Sequence, residues 1–233
     1  LIGIFERETA LYLAEVLCGL GRSRPDDLYR ALPSVVFISI VEDLGAIDPA
    51  LESFVNINYP WDLEKLPRPT VKEGSFKKTV YHRSSFEIKG IKRVINAINT
   101  FLIKRGNTWE EIDEAYEYAS GNDAFFWAGV IKEFEGKTLR NLIEEEKNIN
   151  RSLQKRMRIS FTKAAENFRW EAEPYISKGI LFLAAHALLD EEACWRGATH
   201  EDRAAKAGGE AWRLYGEMDL DTYRRRGLEP LDF

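Results

Sequence analysis

A mainly α fold follows from three features of the sequence. Apolar residues recur at helical spacing from Gly90 onward, glycines and prolines punctuate those runs, and only short stretches have strand-like composition. Ile91, Val94, Ile95, Ile98, Phe101 and Leu102 sit at i, i+3, i+4, i+7 positions, which line one face of a helix that ends at Gly106. Thr108-Trp109-Glu110-Glu111 then matches a capping box, in which the hydroxyl and a carboxylate three residues on satisfy free amides at a helix start. Asp123 is read as the start of the next helix, with Phe126, Trp127, Val130, Ile131 and Phe134 on one side and Gly136 at its end. The longest candidate helix spans Thr138–Glu173 and is closed by Pro174. Tyr175–Arg196 is apolar on most sides and is therefore expected at the centre of the core. Thr199 and Asp202 cap a last helix through Tyr215, in which Gly208-Gly209 is a weak point.

Upstream, Glu6–Gly21 reads as a helix stopped by Gly19 and Gly21. Ser23 or Asp26 caps a shorter one through Leu32, with Pro25 in its first turn. Val35–Val41 is rich in β-formers but is read as a buried helix, because Ser34 can cap it and Glu42-Asp43-Leu44-Gly45 resembles a helix end. Pro60, Pro67 and Pro69 favour extended structure, and Phe76–Ile88 alternates loosely, as a short hairpin would. The expected layout is an N-terminal helical part over 1–58, a Pro-rich extended connection over 59–89, and a multi-helix bundle over 90–233.

The bulk composition narrows the function classes. A chain of 233 residues that is 45% hydrophobic and 30% charged has ordinary globular character and enough apolar residues for a substantial core. Its net charge of −5 excludes a general polyanion binder, so an acidic partner needs a local basic patch. Cys18 and Cys194 make no CxxC pair and no disulfide framework. They are expected as buried thiols in a reducing, cytoplasmic compartment. Leu1–Phe5 runs directly into Glu6, Arg7 and Glu8, so no secretory leader is expected. The longest apolar run, Ile180–Leu189, falls short of the roughly 20 residues of a membrane span, so no membrane partner is expected.

Charge is segregated along the chain. Lys65–Arg105 holds eleven basic and two acidic residues, Gly106–Lys147 four basic and eleven acidic, and Arg151–Arg169 six basic and one acidic. Two basic blocks around an acidic one suit either a phosphate-binding surface or mutual neutralisation within and between subunits. The leading expectation is a non-enzymatic binding and assembly protein. It would contact RNA, DNA or another phosphate-rich partner through Lys77, Lys78, Arg83, Lys92, Arg93, Lys155, Arg156 and Arg158, with self-association or protein partners and no cofactor. Aromatic residues near these blocks, such as Phe86 and Phe161, can stack on unpaired bases.

The rival expectation is a metal-dependent helical-bundle enzyme. His186 and Asp190 share a helix face and His200 opens the next helix, a donor set that can hold a metal in a bundle core. No HExxH, GxSxG, P-loop or GxGxxG pattern is present to specify a reaction. A third expectation is a structural subunit of a larger complex. Six tryptophans, most at helical spacing, are expected in core or subunit contacts, with Trp61 as an anchor on the Pro-rich stretch.

Overall fold

In the computed structural model the described residues are 6–37, 80–83, 86–103, 109–145 and 151–218. They form eight helices and two short strands, and the fold is a helical bundle, as expected. The helices are α1 (Arg7–Gly19), α2 (Pro25–Ala31), α3 (Ile88–Ile103), α4 (Trp109–Ser120), α5 (Phe125–Glu145), α6 (Arg151–Ser177), α7 (Leu181–Gly197) and α8 (Glu201–Glu217). The strands β1 (Ser34–Phe37) and β2 (Val80–Arg83) pair with one another. Two compact units divide the chain. One comprises Leu1–Pro33 and Arg83–Met218, the other Ser34–His82 and Asp219–Phe233. Trp61, Lys77, Lys78, most of the Pro-rich stretch and the expected break near residue 58 lie outside the described residues.

The amphipathic stripes fold as their spacing dictates. Ile91, Val94, Ile95, Ile98 and Phe101 of α3 are buried, together with Ile112 and Ala115 of α4, Trp127 and Ile131 of α5, and Phe161 and Phe168 of α6. Leu13 and Leu17 of α1 and Ala31 of α2 join the same core. Leu102, expected in the α3 stripe, is 49% exposed at the last turn. The sequence of α7 sets alanines among leucines, and that helix packs against both α6 and α8 and buries Leu183, Ala184, Ala187 and Leu188. Among the described residues no helix is long and apolar enough to cross a membrane.

Several expected boundaries are corrected. Gly136 does not end α5, which runs on to Glu145. The Phe161 ring of α6 fills the space a side chain would need there, with its atoms 3.0 Å from where a Cβ would lie, and Gly197 of α7 approaches the same ring. Glycine in these helices serves close packing rather than termination. Pro174 lies inside α6, one turn from its end, and the break comes instead at Gly179, whose φ of 72° is left-handed. Val35–Phe37 is strand, not helix, with alternating exposure that matches period 2. Val80–Arg83 pairs with this distant strand rather than within a local hairpin.

Capping also differs. Arg24 precedes α2 without a side-chain cap, and Asp26 is drawn into a buried ionic network. His200, not Thr199, is the residue before α8, with Thr199 at φ 66°. Asp123 adopts φ 54° ahead of α5, which begins at Phe125. Cys194 is buried, but Cys18 is exposed on α1. Trp127 and Trp195 are core residues, whereas Trp170 is 42% and Trp212 68% exposed.

Candidate functional site

The most unusual feature of the bundle is a charged interior. Arg22 and Arg30, from the α1–α2 segment, lie between the rings of Phe126 and Phe168, with guanidinium-to-centroid distances from 4.8 to 5.6 Å. Arg30 donates two hydrogen bonds of 2.7 Å to Glu171 on α6 and a third of 2.7 Å to Asp190 on α7. Arg22 donates to Asp27 at 2.7 Å, to Asp190 at 3.0 Å, and to Glu133 on α5. Arg24, at the rim, reaches the second oxygen of Asp190 at 3.2 Å. Burial alone would raise the Asp190 carboxyl, but Arg30, Arg22 and Arg24 together hold it well below the usual carboxylate range. The α1–α2 segment is thus tied to α5, α6 and α7 by buried charges, each of which depends on its partners for solvation. Nothing in the local sequence marks Glu133, Glu171 and Asp190 as partners. The one visible signal is the alternation of sign in Arg22-Ser23-Arg24-Pro25-Asp26-Asp27-Leu28-Tyr29-Arg30.

The sequence-derived metal residues are not brought together as a ligand set. His186 sits with Nδ1 3.1 Å from Asp26 Oδ2, its ring edge-on to Phe182 and Tyr215. Asp190 is occupied by the three arginines, and His200 is exposed with its ring on Trp195 at 5.6 Å. Among the described residues no three His, Cys, Asp or Glu side chains are grouped to hold a metal ion. Burial lowers the His186 imidazole, reinforced by Arg24 and Arg30 and opposed by Asp26 and Asp190.

The basic residues of the second block divide into two sets. Arg156 turns inward from α6, bonding Glu135 at 2.6 Å and Asp113 at 2.9 Å, and covers the Trp109 ring at 4.6 Å. Lys132 completes this network with bonds to Asp113 at 2.6 Å and Glu135 at 2.7 Å. Arg169 pairs with Glu191 at 2.8 Å and Glu210 at 2.7 Å. Arg151, Lys155 and Arg158 are exposed, and among the described residues none of them enters an ion pair. Their i, i+4, i+7 spacing aligns them on one side of α6.

Of the first block, Lys92 and Arg93 lie exposed on α3 over Tyr12 at 5.5 Å and Tyr118 at 4.5 Å respectively. Arg93 borders an open groove of about 520 Å³ otherwise lined by Glu110, Asp113, Glu114 and Glu117 of α4. Glu110 and Glu114 are exposed and, among the described residues, without an ion pair, while Glu117 makes only a 3.9 Å contact with Lys163. Arg83 is placed only as part of β2. The structure therefore sets a basic line on α6 and an acidic groove on α4 in one unit, linked through Arg156 and Asp113.

No protein-family model, no curated protein and no solved structure matches this chain.

Proposed function

We propose that the chain is a non-enzymatic binding and assembly protein whose exposed charged helix faces dock onto oppositely charged partners. The observation that carries this reading is the sorting of charge. Arg156, Lys132 and Arg169 are consumed in internal pairs, whereas Arg151, Lys155 and Arg158 on α6 and Glu110 and Glu114 on α4 are left exposed and unpaired among the described residues. Surface charges with no partner of their own contribute little to folding, but they steer and select an approaching surface. Presenting both signs suits protein surfaces, including further copies of this chain, better than a uniformly anionic polymer. Light scattering on the intact chain at low salt tests this. The expected result is a molar mass above the 26.8 kDa of one chain that rises with concentration. A mass of one chain at every concentration sinks the assembly reading.

A second reading keeps a phosphate-rich partner, favoured by the exposed line Arg151, Lys155 and Arg158. It is separated by retention on RNA or DNA. Substituting Lys155 and Arg158 by glutamate should abolish retention. Arg156→Ala should leave it unchanged and instead lower stability, because Arg156 is already held by Asp113 and Glu135. No retention at low salt removes this second reading.

A further inference from the structure

The two exposed charge sets share one geometry. Glu110, Glu114 and Glu117 stand at i, i+4, i+7 on α4, and Arg151, Lys155 and Arg158 at i, i+4, i+7 on α6. At 1.5 Å per residue each set is a line of three charges spanning about 10 Å, so the two lines match in length as well as in sign. Their neighbours offset them only in part, since Lys163 lies 3.9 Å from Glu117 and Arg93 lines the groove. Asp113, which shares the groove, is taken by Lys132 and Arg156, and Arg93 at its border is turned onto the Tyr118 ring. Ile159, 46% exposed beside Lys155 and Arg158, adds an apolar contact to the basic line.

The two lines sit on helices joined by side-chain contacts. Arg156 ties α6 to α4 through Asp113, Lys163 lies over Tyr116 at 4.5 Å, and Asn167 donates to the Tyr116 hydroxyl at 3.4 Å. A molecule that carries both a basic line and a matching acidic line is complementary to further copies of itself. The basic line of one copy meets the acidic line of another. An anionic polymer would occupy the basic line alone and leave the groove carboxylates unmatched.

We infer that the acidic groove on α4 receives the basic line of α6 from a second copy of this chain. The inference rests on the assembly reading and names its contact. Exposed ion pairs are individually weak and screened by salt, so the contact is reversible and steered by charge rather than a permanent apolar interface.

Charge reversal in the full chain tests it. Lys155→Glu with Arg158→Glu, and separately Glu110→Lys with Glu114→Lys, alter exposed positions, so each variant should keep the wild-type helical circular dichroism. In sedimentation velocity at low salt, each variant alone should associate about tenfold or more weakly than the wild type. An equimolar mixture of the two should recover association, because the reversed groove and the reversed line again match. If the wild type associates but neither variant weakens it, or the mixture does not recover it, the contact is elsewhere and this inference is overturned while the assembly reading stands. If the wild type sediments as one chain, both fall. If Lys155→Glu with Arg158→Glu removes only retention on RNA or DNA and leaves association intact, the basic line serves a polymer and the inference is likewise overturned.

Discussion

At the scale of single residues, Asp190 and His186 each make the stability of the fold depend on pH. Asp190 is held ionised by Arg30, Arg22 and Arg24, so its folded pKa lies below its unfolded one. Such a group contributes stability that is fully present above about pH 4 and is lost as pH falls towards the folded value. Asp190→Asn should cost about 3–5 kcal/mol at neutral pH, because it leaves buried guanidinium charge uncompensated, and equilibrium denaturation in urea would show it. His186 acts at higher pH. Its folded pKa is lowered by burial among Asp26, Arg24, Arg30, Asp190 and Tyr215, so below about 6.5 the unfolded chain takes up the proton more readily. Stability should therefore decline as pH drops through that value, and His186→Gln should flatten the decline. An unchanged slope between pH 7.5 and 5 in the variant would place the effect on another group. This interior was hardly legible in the sequence. The sequence pattern pairs Asp27 with Arg30 through their i, i+3 spacing, but Glu133, Glu171 and Asp190 come from three separate helices and meet the arginines only in the folded chain.

At the scale of elements, helix identity was legible and helix ends were not. The stripe Ile91, Val94, Ile95, Ile98 and Phe101 specifies α3 by itself, because burying it needs only local period and one apolar neighbour. Gly136 and Pro174 misled because a glycine that admits a ring and a proline near a helix end look, in sequence, like terminators. The distinction lies in Phe161, which occupies space beside both Gly136 and Gly197. Gly197→Ala makes this measurable. Intrinsic helix propensity favours alanine, but its Cβ would stand 2.8 Å from the buried Phe161 ring, with the Arg140 guanidinium also over that ring at 4.8 Å. The expected outcome is a loss of about 1–3 kcal/mol from overpacking. A more stable variant would mean that the ring yields freely. The strand at Ser34–Phe37 reads as helix in the sequence for a different reason. A short β-branched run is ambiguous until its partner is known, and that partner, Val80–Arg83, lies far along the chain.

At the scale of the whole molecule, the charge blocks were visible as blocks but not as surfaces. Sequence counts assign Arg156 and Lys155 to the same basic segment, yet one is bound by Glu135 and Asp113 while its neighbour is exposed and unpaired among the described residues. One residue along a helix turns a side chain by about 100°, which decides whether a charge serves the fold or a partner. The molecule thus separates internal electrostatics, which hold α1 and α2 to the bundle, from external electrostatics on α4 and α6. The two should respond to salt differently, since buried pairs are screened far less than exposed ones. The most direct test of the assembly account is therefore the sedimentation of the unmodified chain across a salt titration, with its circular dichroism recorded in parallel. The account predicts association at low salt that dissolves to single chains as salt rises, with helicity and melting temperature unchanged. Single chains at every salt concentration, or association that strengthens with added salt as an apolar interface would, contradict it.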